Sequence, residues 1–300
     1  METESDFRFG HVALLGRPNV GKSTLLNALV GEKISIVTAK PHTTRHRILG
    51  VLNRPQAQAV FIDTPGFSRD SGRVLHRLMA RTLRQTLEDA DLVVLVTEAN
   101  RPVEADDELI GEVLASGKPS ILAINKIDRL ESREALLPRI DALRHHAFAE
   151  FVPISARSGR NLDALEDAIV RHLPAGPPGY PLDFRTDRSE LFRAAEIIRE
   201  KLMSALHQEV PYGIAVQIES MDFDAAGRRV IHAIIWIERS SHKAIVIGKG
   251  GSVLKRVGRE ARLELNRLFG DRVHLELWVK LREHWSDNAE ELQRLGFDAQ

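Results

Sequence analysis

Cysteine is absent from the 300-residue chain, which excludes a disulfide framework and a thiolate metal centre. Net charge is absent as well: 42 Lys and Arg balance 42 Asp and Glu. No global field therefore marks a nucleic-acid partner, and any such signal has to be local. No stretch approaches the roughly 18–20 continuous apolar residues of a membrane span. The opening Met1-Glu2-Thr3-Glu4-Ser5-Asp6 is acidic, where a secretory leader is basic and then apolar, so a cytoplasmic protein is expected. The 12 histidines, including the adjacent His145 and His146, lack His-Glu-x-x-His spacing and are expected at exposed polar positions. Neither a lipidation motif nor a strongly basic amphipathic helix is present.

What is present is a globular composition, 43% hydrophobic and 28% charged, in a chain long enough for two domains. The apolar runs Val12–Leu15, Val60–Ile62, Leu92–Val96, Ile121–Ile124 and Phe151–Ile154 show no polar alternation. Strands covered on both faces read that way. Between them Val74–Glu88, Ala105–Ala115, Arg133–Arg144 and Leu162–Leu173 carry apolar residues three and four apart, the period of helices. The economical architecture is an α/β domain over 8–175, a mostly parallel sheet with helices on both faces. Ligands in such folds sit at the carboxyl ends of the strands.

The motifs fall at those ends. Gly16-Arg17-Pro18-Asn19-Val20-Gly21-Lys22-Ser23 follows the first run and opens onto a helical pattern, the strand, loop and helix context of a phosphate loop. Backbone N–H groups there converge on phosphate oxygens, Lys22 reaches the β and γ phosphates, and the Ser23 hydroxyl is a ligand for Mg²⁺. Asp63-Thr64-Pro65-Gly66 closes the second run; its carboxylate can hold Mg²⁺ through water while the Gly66 N–H faces the γ-phosphate. Asn125-Lys126-Ile127-Asp128 closes a later run. An Asp carboxylate accepts from N1–H and the 2-amino group of guanine, a donor pair adenine lacks, so Asp128 selects GTP over ATP. Ser155-Ala156-Arg157 supplies a backbone N–H for guanine O6. The polar loop Lys40–Arg47 carries Thr43 and Thr44, either of which could complete the Mg²⁺ shell when a γ-phosphate is present, with Thr44 preferred. Phe67 directly follows Gly66, where a water-orienting glutamine would help hydrolysis, so slow intrinsic turnover is expected. The catalytic roles read from these positions fall to Lys22, Thr44 and Gly66.

Four prolines and two glycines crowd Pro174–Pro181, which makes 176–189 the candidate linker. Beyond it come a helix Glu190–His207 with Leu191, Ala194, Ala195, Ile198, Leu202 and Leu206 on one face, and strands Ile214–Ile218 and Val230–Ile237. The loop Gly248-Lys249-Gly250-Gly251, a helix Ser252–Phe269 and a strand Arg272–Val279 follow. The apolar Ala244–Ile247 could wall a groove beside the loop. Lys243, Lys249, Lys255, Arg256, Arg259, Arg262 and Arg267 outnumber Glu260 and Glu264 here, the basic patch that the neutral total conceals. Trp278 and Trp285 are expected to pack against the last strand and tail, and 286–300 to pack locally or fray.

These motifs in this order resemble those of the translation-factor-like GTPases. Joined to Val-Ile-Gly-Lys-Gly-Gly, they resemble more narrowly the Era family of bacterial GTPases, from near residue 8 to near residue 285. The resemblance implies a P-loop GTPase domain followed by an α+β type II KH domain over 190–285, in which Ile247, Gly248, Lys249, Gly250, Gly251, Lys255, Arg256 and Arg259 meet single-stranded RNA. It implies GTP and GDP with Mg²⁺, K⁺ held near the phosphates with help from Asn19, and binding near the 3′ end of 16S ribosomal RNA during small-subunit assembly. It also implies a monomer with loose association to the inner membrane surface. Coupling of the two activities would pass through the linker and the loops Lys40–Arg47 and Phe67–Gly72. His42 departs from the family pattern, where glutamine is common. The competing reading is a regulatory GTPase whose second domain binds protein or membrane.

Overall fold

The computed structural model describes residues 7–66, 74–132, 134–207 and 210–295. Two compact units divide the chain: Met1–Ser35, Thr44–Arg69 and Met79–Asp187 form the first; Ile36–Thr43, Asp70–Leu78 and Arg188–Gln300 form the second.

The first unit is built on β1 (Arg8–Leu15), α1 (Lys22–Val30), β2 (Ile48–Arg54), β3 (Ala57–Asp63), most of α2 (Val74–Asp89) and β4 (Leu92–Glu98). It continues with α3 (Asp107–Ala115), β5 (Ser120–Asn125), α4 (Leu137–Leu143), β6 (Glu150–Pro153) and α5 (Leu162–His172). The six strands lie in the order β2-β3-β1-β4-β5-β6. Only the β2/β3 pair is antiparallel, which is the mostly parallel sheet expected. Every residue of β3 and β5 is buried, because helices cover both faces, and that is why these strands read as unbroken apolar runs. Each fully buried Leu or Ile there contributes roughly 1.5–3 kcal/mol relative to exposure.

Two helices differ from expectation. Glu134–Leu136 forms a 3-10 turn and α4 starts only at Leu137, because Pro138 gives no N–H to an earlier carbonyl and is tolerated only in a first turn. Likewise Val103–Ala105 is a 3-10 turn and α3 begins at Asp107.

The proline-rich stretch is held against the first unit as far as Asp187. The Gly179 and Tyr180 amides donate to Gln58 Oε1 at 2.9 Å each, and Val51 N–H donates to the Arg185 carbonyl at 2.8 Å. Thr186 Oγ1 donates to the Leu49 carbonyl at 2.7 Å. Prolines withhold N–H groups from the segment, which turns at Pro181–Phe184, and its remaining polar groups cover the β2 edge that would otherwise stay open.

The second unit runs α6 (Glu190–Ala205), β7 (Ile214–Phe223), β8 (Arg229–Ile237), α7 (Ser240–Ile247), α8 (Ser252–Phe269), β9 (Val273–Leu281) and α9 (Ala289–Arg294). Its sheet is β7-β8-β9, with β7/β8 antiparallel and β8/β9 parallel. Ala194, Ile198 and Leu202 of α6 meet Val257, Ala261 and Leu265 of α8 over Ile231, Ala233 and Ile235 of β8. Ser189 caps α6 by accepting from the Phe192 amide at 3.2 Å, offsetting one orphan donor.

Leu191 of the expected apolar face is 47% exposed, while Glu196, Arg199 and Glu200 are buried. The first turn of α6 lies off the core, and the helix spends part of its buried surface on charge. Trp285 is fully buried and donates to the Gly213 carbonyl at 3.3 Å. Trp278, by contrast, stays 55% exposed on β9, against the expectation that both would pack. In the tail Leu292 is buried, and Asn288 Oδ1 caps α9 through the Glu290 and Glu291 amides. Phe297 lies outside the described residues.

Candidate functional site

The phosphate loop sits between the carboxyl end of β1 and the first turn of α1. Gly21 has φ +105°, and a Cβ there would lie 2.3 Å from Asn125 Nδ2; only glycine lets the loop pass under the base motif. Asn19 takes a left-handed backbone, φ 65°, and is exposed. Lys22 is 6% exposed and donates to the Gly16 carbonyl at 2.9 Å and the Arg17 carbonyl at 3.1 Å. Two of three ammonium donors are thus committed, leaving one for an incoming phosphate oxygen. Burial pushes Lys22 down to about 8, with the Asp63 charge opposing. A phosphate in the cradle would favour the charged ammonium.

Around Asp63 the donors are all oxygen. Ser23 Oγ donates to Asp63 Oδ2 at 2.7 Å and Ser35 Oγ at 3.1 Å, with Thr44 Oγ1 at 3.4 Å. Ser23 Oγ and Thr44 Oγ1 are 2.9 Å apart. Asp63 is fully buried, its Oδ1 has no hydrogen-bond partner among the described residues, and burial raises its pKa against Lys22 and the three hydroxyls. A buried, under-satisfied carboxylate beside two converging hydroxyls fits a hard divalent cation such as Mg²⁺. Thr44 stands in this cluster; Thr43 does not, since its hydroxyl pairs with Thr38 Oγ1 at 2.6 Å and donates to the Lys40 carbonyl at 2.7 Å.

Thr64 Oγ1 donates to the Leu14 carbonyl at 3.2 Å, and Pro65 is buried. A Cβ on Gly66 would lie 2.8 Å from Pro18, so this turn closes directly on the phosphate loop. Phe67 lies outside the described residues.

Asn125, at the end of β5, ties the phosphate loop to the chain after β6: Nδ2 donates to the Val20 carbonyl at 2.8 Å and Oδ1 accepts from the Ala156 amide at 2.9 Å. Ser155 Oγ donates to Asp128 Oδ1 at 2.6 Å, which orients the exposed carboxylate. The Ile127 amide donates to the Ile154 carbonyl at 3.2 Å, Lys126 pairs with Glu98 at 2.6 Å, and Arg157 is exposed. The structure therefore gathers the phosphate loop, Asp63–Gly66, the guanine motif and Ser155–Arg157 on one end of the sheet.

Sequence reasoning missed two contributors. Ser35 donates to Asp63, and Asn27 holds Ser35 in place through its Oδ1, which accepts from the Ile34 and Ser35 amides at 3.0 and 2.9 Å. Neither belongs to a spaced motif; an Asn inside an apolar helix was the only available signal.

In the second unit Gly248-Lys249-Gly250-Gly251 joins α7 to α8. Gly248, Gly250 and Gly251 have φ of 75°, 59° and 76°, and a Cβ on Gly248 would lie 2.8 Å from the Val253 amide nitrogen. Lys249, Lys255, Arg256, Arg259, Arg262 and Arg267 are exposed. Arg256 also donates to the Ala205 carbonyl at 3.3 Å. Of the apolar segment beforehand, Val246 is in the core, Ile247 is half-buried, Ala244 is exposed and Ile245 is 48% exposed, so two apolar side chains stand open before the glycine loop.

Comparison with known proteins agrees with both units. A family model described as a 50S ribosome-binding GTPase matches residues 11–126, and a KH domain model matches 209–286. The GTPase Era of Xylella fastidiosa strain M12 is 46% identical over 293 residues, 97% of this chain and 98% of the relative. The GTPase Era of Xanthomonas oryzae pv. oryzae strain MAFF 311018 is 47% identical over 298 residues, 99% of each. A tyrosine-to-alanine variant of Aquifex aeolicus Era bound to GDP·AlF4⁻ superposes with a TM-score of 0.92 at 42% identity, covering 97% of this chain and 99% of that one. Era in complex with MgGDPNP and nucleotides 1506–1542 of 16S ribosomal RNA gives the same TM-score, identity and coverage. With likeness of this order running the full length of both partners, the chain belongs to the Era family of GTPases.

Proposed function

We propose that this GTPase is a nucleotide-switched RNA-binding factor that binds the 3′ region of 16S ribosomal RNA and assists small-subunit assembly. Nucleotide chemistry lies within 8–175 and RNA binding within 190–285. The observation that carries the reading is the pairing, in one chain, of the Lys22–Ser23–Asp63–Thr44 cluster with an exposed glycine loop flanked by Lys249, Lys255, Arg256 and Arg259. The related complex with MgGDPNP and 16S RNA supports it.

Ser23, Thr44 and Asp63 would hold Mg²⁺, which neutralises charge on the β and γ phosphates when bound. Gly16–Ser23 cradle the phosphates, Lys22 gives its third donor to their oxygens, and Asp63–Gly66 close the γ-phosphate end. Asn125–Asp128 with Ser155–Arg157 enclose the base. Water attacks the γ-phosphorus, the bond to the β–γ bridging oxygen breaks, and GDP and phosphate leave. Phe67 offers water neither donor nor acceptor, so intrinsic turnover is slow; Asn19 helps hold K⁺ near the phosphates. Equal turnover in KCl and NaCl would remove the K⁺ role.

Ile247 and Gly248–Gly251 let an RNA backbone approach the main chain, and the basic face of α8 meets its phosphates. The cytoplasmic reading rests on the acidic opening of the chain, and monomeric behaviour and membrane-surface association rest on the family resemblance; no helix among the described residues is long and apolar enough to cross a membrane. The test is retention of a 16S 3′-end oligonucleotide by Gly250→Asp/Gly251→Asp. RNA is lost and GTP binding kept on this reading, whereas unchanged retention would favour a second domain that binds protein or membrane.

A further inference from the structure

Asp106 stands at the N-cap of α3, and its backbone carbonyl accepts the Ile110 amide at 2.9 Å, yet its side chain makes no cap hydrogen bond to the helix. An aspartate at this position normally satisfies one of the orphan amides of its own helix. Here the residue is only 1% exposed, and its carboxylate serves other groups. Oδ2 accepts from Arg139 Nη2 of α4 at 2.9 Å, and Arg139, itself buried, donates from Nη1 to the Arg101 carbonyl. The second oxygen, Oδ1, lies 3.9 Å from Nε of Arg17 in the phosphate loop. That Nε is buried and has no hydrogen-bond partner among the described residues. The Asp106 charge is what offsets the cost of burying it.

Arg17 occupies a joint in the loop. Its Cα links two planar peptides, and their oxygens are the Gly16 and Arg17 carbonyls that accept from Lys22 Nζ at 2.9 and 3.1 Å. On one side Gly16 lies close against β4, since a Cβ there would be 2.5 Å from the Val96 carbonyl oxygen. On the other, Pro18 has its φ fixed by the ring. Between these two restraints the Arg17 side chain is what remains to set the direction of both carbonyls. Arg17, Lys22, Val96, Arg101, Asp106 and Arg139 all belong to the first unit.

We propose that Asp106 is a positioning residue for GTP binding and hydrolysis, acting through the Arg17 side chain to hold the two carbonyls that aim the Lys22 ammonium at the phosphates. The inference rests on the reading of Lys22 as a phosphate ligand. Arg139 in turn fixes the direction of the Asp106 carboxylate, because a planar guanidinium held at the Arg101 carbonyl presents its remaining donors at set angles. Helices α3 and α4 thus reach the phosphate loop through one buried carboxylate.

The test is a set of double-mutant cycles on the full chain, read as the dissociation constant of a fluorescent GTP analogue and as kcat/KM for GTP. Arg17→Met, which keeps an unbranched stem and removes the guanidinium, should weaken analogue binding and lower kcat/KM, each by roughly five- to tenfold. Arg17→Lys, which retains a cation, should recover part of both losses. Asp106→Asn should cost a similar factor, and the pair with Arg17→Met should lose no more than about twofold beyond either change alone. In a Lys22→Ala background Arg17→Met should alter analogue affinity by less than about twofold, because the group it acts through is gone. A merely structural role would weaken binding equally with and without Lys22. That outcome, full additivity of the Arg17 and Asp106 changes, or wild-type affinity and turnover in Arg17→Met overturns the proposal. Lys22→Ala separates the layers: if it leaves analogue affinity unchanged, the reading of Lys22 fails; if it weakens binding while Arg17→Met does not, this inference alone fails. Should Asp106→Asn not fold, Asp106→Glu, which keeps the charge but displaces it by one methylene, takes its place in the cycle with Arg17→Met, and additivity there overturns the proposal as well.

Discussion

The nucleotide site and the glycine loop of the second unit place their charged groups in opposite settings. Lys22 and Asp63 are 6% and 0% exposed and already engaged with fixed partners, whereas Lys249, Lys255 and Arg259 extend into solvent. Buried, preorganised charges act at low local dielectric and cost no reorganisation when the ligand arrives. Exposed long side chains lose rotamer freedom on binding and are screened by salt. Single changes should therefore be severe in the first site and graded in the second.

The largest effect expected is at Lys22. Lys22→Ala removes the ammonium that meets the phosphates and should lower GTP turnover by roughly 10²–10³-fold or more, while RNA retention by the nucleotide-free chain stays unchanged. Loss of RNA binding in that variant would show that the two regions do not act separately. Next is Asp128→Asn, which should weaken GTP by roughly 10–10²-fold. Because an amide offers a donor where xanthine presents a 2-oxygen, the same variant should gain affinity for xanthosine triphosphate. Competition binding with the two nucleotides reads both changes.

The pH profile sharpens the contrast. Lys22 titrates near 8 in the free protein and higher once phosphates surround it, so GTP binding takes up a proton. Affinity should fall as pH rises from about 8 toward the unperturbed lysine value, by at most about tenfold per pH unit. Over the same window the unfolded chain holds more protons than the nucleotide-free fold, so the stability of that form rises with pH. Calorimetry in buffers of different ionisation enthalpy would detect the proton. The smallest effect is at the exposed site: Lys255→Ala should weaken oligonucleotide binding modestly and lower the slope of log affinity against log salt by about 0.7.

The buried region was also the more legible one. Each of its motifs needs fixed residue types at fixed spacing, because a Cβ at Gly21 or Gly66 would strike Asn125 or Pro18, and the buried strands around them admit only apolar residues. What stayed hidden depends on tertiary placement. Ser35 is an ordinary serine until folding brings it 3.1 Å from Asp63. The buried Glu196 and Arg199 lie off the apolar face read for α6, and Leu191 lies on it but is exposed, because periodicity marks a face without saying which turn the core reaches. Thr43 and Thr44 were indistinguishable by type, and only the contacts of their hydroxyls separate them.

The most direct measurement is the affinity of the full chain for a 16S 3′-end oligonucleotide, at one stated salt concentration, in the nucleotide-free, GDP and GTP-analogue states. Tighter capture with the GTP analogue than with GDP, by roughly five- to 150-fold, is the range of a site-to-site coupling of 1–3 kcal/mol and is the expected result. Equal capture in all three states would contradict a nucleotide-switched RNA-binding factor.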